Sequence, residues 1–238
     1  LAHSGVKEIV LTGVNLGDFG KDVNGESKES FFDLIQALDN IEGIERFRIS
    51  SIEPNLLSDE IIEWVSRSNK FMPHFHIPLQ SGSNKILALM RRRYKKELYE
   101  KKILYIKEIM PHCCVGVDVI VGFPGETESD FKETFDFLHQ LDISYLHVFT
   151  YSERDNTKAL DIKPAIPINV RNERNKQLRN LSYMKMQSFT QQHLATHRKV
   201  LFENKKGNEL LEGYTDNYIK IKTLYKEEYV NSIVNWII

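Results

Sequence analysis

The residues best suited to chemistry lie in two segments, His76-Ile77-Pro78-Leu79-Gln80-Ser81-Gly82-Ser83 and Asp118-Val119-Ile120-Val121-Gly122-Phe123-Pro124-Gly125-Glu126-Thr127. Each reads as a strand running into a small-residue turn and then a capped helix, the way an α/β barrel builds a ligand site at one rim. Gln80, Ser81 and Ser83 offer an amide and hydroxyls suited to ribose or carboxylate hydrogen bonds, although Ser83 is also a natural helix cap. Gly122, Pro124 and Gly125 let backbone approach a ligand, with Glu126 and Thr127 at a helix start. No Gly-Lys-Ser follows, so a Walker phosphate loop is excluded and a flat or neutral ligand fits better. Thr12-Gly13-Val14-Asn15 and Ser50-Ser51-Ile52-Glu53-Pro54 are two more polar strand ends, from which Asn15 and Glu53 could contact the same ligand.

Other polar residues read more quietly. His74 and His76 have a spacing compatible with metal, but no third ligand is near, so no metal site is expected. Cys113 and Cys114 are the two cysteines, adjacent and without metal-ligand spacing, and read as buried thiols. Arg91, Arg92 and Arg93 suit phosphate contact or a solvated charge run. They fall on the side of the barrel away from the site if their helix runs antiparallel to its strand, unless one reaches back. Between Arg171 and Lys199, seven Lys or Arg face one acid, Glu173, which makes either a phosphate-facing surface or a solvated helix face.

The elements that must position these groups alternate. Strands are expected at Glu8 to Gly13, Arg46 to Ile52, Pro73 to Gln80, Val115 to Phe123 and Tyr145 to Tyr151. A loop follows the first, from Asn15 to Gly25. Helices open at Ser30, Ser58, Ser83, about Glu97, and Thr127. This βα order argues for a parallel sheet. In the fourth strand Val115, Val117, Val119 and Val121 share one face, while Gly116, Asp118, Ile120 and Gly122 share the other; His74 and His76, then Tyr145, His147 and Phe149, repeat the pattern. A doubly wound sheet is normally apolar on both faces, so a polar face favours a curved sheet enclosing a site. After Pro164 and Pro167 comes one long helix, about Asn169 to His197, with Leu178, Leu181, Met184 and Leu194 at apolar positions. A small β module closes the chain, with strands at Val200 to Glu203, Tyr218 to Leu224 and Tyr229 to Ile238, and Gly207 and Gly213 at turns. The expected divisions are 1–168, 169–197 and 198–238.

With 238 residues and 41% hydrophobic content, the chain can bury one substantial core. A net charge of −1 gives no overall sign of a strongly basic nucleic-acid binder. Neither a membrane span nor a secretion signal is legible, which points to the cytoplasm. The start at Leu1 suggests a piece of a longer protein.

Together, Leu11-Thr12-Gly13-Val14-Asn15-Leu16-Gly17-Asp18-Phe19-Gly20, Ile49 to Pro54, His76 to Ser83, Met90-Arg91-Arg92-Arg93-Tyr94 and Asp118 to Thr127 resemble, in order and spacing, the radical S-adenosylmethionine (SAM) methylthiotransferases. Val14-Asn15 after Thr12-Gly13 resembles the MtaB branch, which modifies threonylcarbamoyladenosine in tRNA beside the anticodon. The resemblance implies an α/β fold: a partial radical-SAM (β/α) barrel binding SAM at its strand ends, then a C-terminal TRAM-like module that contacts RNA. By position Asn15, Ser51 and Gln80 would contact the methionine and ribose of SAM, and Ile120, Gly122 and Phe123 would line the adenine. Glu53, Ser81, Asp118 and Tyr151 complete the candidate cofactor set. Arg91, Arg92, Arg93, Arg174, Arg179 and Arg198 are the candidate RNA contacts. Tyr151-Ser152-Glu153-Arg154 matches the family's last-strand motif, whereas Asp155-Asn156-Thr157 departs from its Pro-Gly-Thr.

The family uses two 4Fe-4S clusters, one on a CxxxCxxC motif expected before Leu1 and one in an earlier domain, with an external electron donor. The cluster would reduce SAM to a radical that activates adenine C2 for methylthiolation. This stretch alone is then expected to be inactive, and no catalytic side chain is singled out. The alternatives are a sister enzyme acting on isopentenyladenosine tRNA or a ribosomal protein, and a non-catalytic RNA-binding SAM-barrel protein.

Overall fold

A computed structural model describes residues 1–22, 28–203 and 209–238. The expected loop end at Gly25 and turn at Gly207 lie outside the described residues. Five parallel strands form the first part: β1 (Glu8–Leu11), β2 (Arg46–Ile49), β3 (His74–His76), β4 (Cys114–Val121) and β5 (Tyr145–Thr150). β1 pairs with β2 from Glu8↔Arg46 to Leu11↔Ile49, and β4 pairs with β3 and β5. The two groups are joined where the Phe47 N–H donates to the Lys70 carbonyl at 2.8 Å and the Ile52 N–H to the His76 carbonyl at 3.1 Å. The strands therefore lie side by side in chain order, as in a curling barrel wall, whereas a doubly wound sheet reverses its order at a switch point.

Between the strands run α1 (Phe31–Asp39), α2 (Asp59–Arg67), α3 (Asn84–Leu89), α4 (Lys96–Ile109) and α5 (Glu128–Gln140). Ser30 and Thr127 start α1 and α5 through reciprocal capping boxes in which Asp33 and Asp130 stand where Glu or Gln is usual. The core fills the space between helices and sheet. Val115, Val117, Val119 and Val121 are fully buried there with Phe75, Ile77, Ile62, Tyr99 and Leu138. The opposite sheet face carries His74, His76, Asp118, His147 and Phe149 into a polar lumen. Gly116 is required in this wall: a Cβ there would lie 2.2 Å from Cζ of Tyr145, whose ring crosses β4.

The long helix α6 (Ile168–Gln192) packs along β5 and ends five residues earlier than the expected His197, because Ala195 turns left-handed at φ 60° and His197 already begins a strand. Leu178 and Leu181 are buried as expected, but Met184 and Leu194 are exposed. Phe189 takes the lower buried position, and the Lys185 ammonium between them caps the His139 and Leu141 carbonyls.

The terminal module is a four-stranded antiparallel sheet in the order β8 (Lys220–Leu224), β7 (Leu210–Thr215), β6 (His197–Glu203), β9 (Ile233–Ile237). β7 was not anticipated, and Gly213 sits inside it opposite Phe202 rather than at a turn. The turn from Thr215 to Ile219 plugs the N-terminal mouth of the barrel. Arg48 donates to the Thr215 and Asp216 carbonyls at 2.7 and 3.0 Å, Arg46 donates to those of Lys199 and Tyr214, and Glu8 pairs with Arg48 at 2.9 Å. The Tyr218 ring stacks on His74 at 4.1 Å. Two buried guanidiniums thus clasp the module's backbone.

Candidate functional site

The rim is formed where the strands end. After β4 the chain turns left-handed at Gly122, φ 76°, and a Cβ there would meet Cγ of Arg171 at 2.3 Å. The buried Glu126 carboxylate accepts the Gly122 N–H at 2.7 Å and pairs with Arg174 at 2.6 Å. Burial pushes its pKa up, while the Gly122 N–H and the Arg174 guanidinium pull it back. Arg171 donates to the Tyr151 carbonyl at 2.9 Å and to Glu153 at 2.5 Å. The start of α6 therefore ties together the ends of β4 and β5. A capped acid and two arginines hold this part of the rim rigid.

After β3 the buried Gln80 adopts φ 71°, a conformation uncommon outside glycine, fixed because its N–H and C=O both bond β4. The next residues turn away from the rim. Ser81 is fully buried with its hydroxyl 3.2 Å from that of Thr134 on α5, so the expected SAM contact at Ser81 is withdrawn. Ser83 donates to Asp130 instead of capping α3. Burial works against the Asp130 charge, but the Lys85 ammonium and Thr127 outweigh it and hold the carboxyl at about 2.

Asn15 precedes a 3-10 turn, Leu16–Asp18, that packs through Gly17 on Leu56 of the loop after β2. Its amide donates to Asp18, and its buried oxygen has no partner. Ser51 bridges to His76, and Glu53 pairs with Arg92 at 2.8 Å. Arg92 reaches back to the strand-end side, the alternative left open for the arginine run, and its guanidinium donates to Glu53 there. Phe123 packs edge-on to Tyr151 at 5.3 Å. Ile120, Phe149, Thr150, Tyr151, Ser152 and Arg154 line a cavity of about 370 Å³. Asn156 takes φ 63° in the Asp155-Asn156-Thr157 turn, so asparagine, which tolerates that region, stands where the motif has glycine.

Below the rim, the lumen carries a hydrogen-bonded column. His76 Nε2 lies 2.8 Å from Asp118 Oδ1, and the Tyr145 hydroxyl lies 3.0 Å from His74 Nε2 and 3.4 Å from His76 Nδ1. His147 is exposed with its ring edge-on to His76 at 5.1 Å. Burial holds His74 well below the usual histidine range and pushes the Tyr145 hydroxyl up, so both are neutral. Period-two reading had placed these side chains on one face; their mutual bonds were not legible.

Of the arginines expected at RNA, Arg91, Arg93 and Arg179 are exposed. Arg174 is withdrawn: it is buried and consumed by Glu126 and Glu128. Arg198 is partly buried and donates to Asp216 at 3.2 Å. Arg46 and Arg48 were missed; the available signal was two charges two residues apart on the lumen side of a strand.

The rim and the sequential parallel sheet define a class. Residues 1–138 match the model of the Radical SAM superfamily, and the chain belongs to that superfamily. It is 40% identical over 239 residues to the threonylcarbamoyladenosine tRNA methylthiotransferase MtaB of Bacillus subtilis (strain 168), covering 98% of this chain and 52% of the relative. It is 42% identical over 228 residues to the MtaB of Aquifex aeolicus (strain VF5), covering 95% and 53%. The tRNA-2-methylthio-N(6)-dimethylallyladenosine synthase of Clostridium tetani is 35% identical over 237 residues, covering 99% and 52%. The chain spans about half the length of the curated relatives it matches. Escherichia coli coproporphyrinogen III oxidase (HemN), a radical SAM enzyme, shares the fold, with TM-score 0.51 and 17% identity over 68% of this chain and 37% of that one.

Superfamily membership implies SAM and an iron–sulfur cluster. The rim suits SAM: it offers a cavity beside Ile120 and Tyr151, and an orphaned amide oxygen at Asn15. The cluster does not fit these residues. Cys113 and Cys114 are buried at the start of β4, away from the rim, and burial pushes Cys114 up to about 12, so it remains a thiol. Among the described residues no group of His, Cys, Asp or Glu could hold a metal, and no helix is long and apolar enough to cross a membrane.

Proposed function

We propose that the protein containing this chain is a cytoplasmic radical SAM tRNA methylthiotransferase that places a methylthio group on C2 of N6-threonylcarbamoyladenosine beside the anticodon. The observation that carries this reading is the 40% and 42% identity to two MtaB enzymes across nearly the whole chain. SAM, when bound, supplies the radical chemistry and the methyl group. This chain's residues hold and aim it: Asn15, Ser51 and Gln80 bond its polar end, while Ile120, Phe123 and Tyr151 pack its adenine. Glu126, Arg171 and Arg174 keep those strand ends in register as positioning residues.

In this reading the cluster thiolates and the reductant come from outside these 238 residues, and the stretch by itself is inactive. Residues 1–168 form the barrel portion, 169–197 the connecting helix and 198–238 a TRAM-like RNA module. Arg91, Arg93 and Arg179, being exposed, face the tRNA backbone. The 35% identity to the dimethylallyladenosine synthase supports a second reading, with isopentenyladenosine as target. Deleting the gene and analysing tRNA nucleosides by mass spectrometry separates the two. Loss of 2-methylthio-threonylcarbamoyladenosine with the isopentenyl product intact supports the first, and the converse supports the second.

A further inference from the structure

The outer side of α6 carries groups that holding SAM at the rim does not use. Asn172, Lys176, Arg179, Tyr183, Met186 and Thr190 fall in one stripe, because spacings of three and four residues return to the same face of a helix. The first five are exposed; Tyr183 and Met186 show 64% and 49% of their surface. Lys176 and Arg179 are unpaired among the described residues. No Asp or Glu lies on the stripe: Glu173, the one acid of the helix, sits round to the side, where it accepts from Gln177.

The stripe runs the length of the barrel on its outside. Arg171 holds the end of β5 at the Tyr151 carbonyl, and Ser182 holds its start at Leu146. Thr190 lies eighteen residues beyond Asn172, about 27 Å at the helical rise. There the stripe ends at a cavity of about 280 Å³ between α6 and the terminal module, with Met186 and Thr190 as its lip and Phe189, Tyr214 and Tyr218 as its walls. Its inner end is closed by Cys114 and Tyr145 at the starts of β4 and β5, so it is remote from the rim and separate from the SAM site. Lys220 stands at its edge and shares Glu212 with Lys222 at 2.9 and 3.0 Å, which leaves that edge with more cation than anion.

The cavity is just below the roughly 300–1,000 Å³ of ordinary small-molecule clefts, so it suits one flat ring system. Aromatic walls stack on any nucleobase that RNA leaves unpaired. An acid-free stripe of amides and cations leading to such a cavity suits the phosphate backbone that would carry the base there. We propose that α6 is a track for the RNA backbone and that the cavity at its lower end takes one unpaired nucleobase of the bound tRNA, a second anchor remote from the nucleotide presented at the rim. The inference rests on the tRNA reading above.

The test uses the full-length protein with SAM and tRNA purified from a strain lacking the gene. Ultraviolet crosslinking followed by peptide mass spectrometry should find nucleotide adducts in residues 183–192 and 214–222. Tyr214→Ala should weaken tRNA binding in fluorescence anisotropy about tenfold, while Tyr214→Phe, which keeps the ring, should bind like wild type. Lys176→Glu should weaken binding more at low salt than at high salt. SAM affinity measured by calorimetry should be unchanged in all three variants. Adducts confined to other parts of the protein, or a Tyr214→Ala protein that binds tRNA like wild type, overturn the inference and leave the proposed function intact. If Tyr214→Ala also loses SAM affinity, the wild-type crosslink alone decides, since it requires no substitution. A wild type that binds no tRNA overturns the proposed function, and this inference with it.

Discussion

The Glu126 carboxylate lies 2.6 Å from the Arg174 guanidinium, and both side chains are buried where the end of β4 meets α6. Removing one partner of such a pair strands the other charge in the interior, which costs about 3–5 kcal/mol. Arg174→Ala should therefore lower unfolding stability by about that amount in urea titration, with Glu126→Gln milder because a neutral amide can still accept from Gly122. An Arg174→Ala protein of unchanged stability would mean that the pair does not brace the rim.

Arg179, five residues further along the same helix, is exposed and should behave differently. Arg179→Glu in the full-length protein should leave stability within about 0.5 kcal/mol of wild type. It should weaken tRNA binding more at low salt than at high salt, as counterion release requires. Equal affinity at both salts would leave Arg179 as a solvated position on α6.

The junction of barrel and module depends on Arg48, which reaches Glu8 on β1 and the Thr215 and Asp216 carbonyls in one fork. Arg48→Met keeps much of the side-chain bulk but leaves the partly buried Glu8 and both carbonyls without this donor, an expected loss of about 2–4 kcal/mol. Amide hydrogen exchange should show the cost locally, as faster exchange from Thr215 to Ile219 and in β6. Unchanged protection there would show that the stacking of Tyr218 on His74 suffices.

His74 gives that junction a pH dependence. Its folded pKa lies well below 6.5, first through burial and then through Arg48, His76 and His147. A depressed histidine contributes stability that is present above the unfolded pKa and is lost as pH falls through it toward the folded value. The melting temperature should therefore fall from about pH 6.5 downward. His74→Phe, which keeps a ring against Tyr218, should flatten that slope in thermal melts taken at several pH values. A slope unchanged in the variant would assign the acid sensitivity to other groups.

The barrel wall was legible because its signals are local: alternating burial from Val117 to Val121, caps at Ser30 and Thr127, and small residues after β3 and β4. The rim was read as a set of strand ends, but the sequence did not say which side chains face it. Ser81 and Arg174 have suitable chemistry, and both point into packing, Ser81 against Thr134 and Arg174 against Glu126. Those outcomes depend on contacts with α5 and on how α6 lies over β4. The Arg46–Arg48 clasp and the Tyr218 plug join residues more than 140 positions apart, which no spacing rule reaches. Gly213 was misplaced because glycine inside a strand and glycine at a turn look alike in sequence.

The central claim is tested most directly by single-turnover reaction of the purified full-length protein, with reconstituted clusters, SAM and a reductant, on an anticodon stem-loop carrying threonylcarbamoyladenosine. Digestion and mass spectrometry of the nucleosides should show C2–H replaced by a methylthio group on that residue, with the isopentenyl stem-loop converted far more slowly. Conversion of the isopentenyl RNA alone, or SAM cleavage with neither RNA modified, would contradict the account.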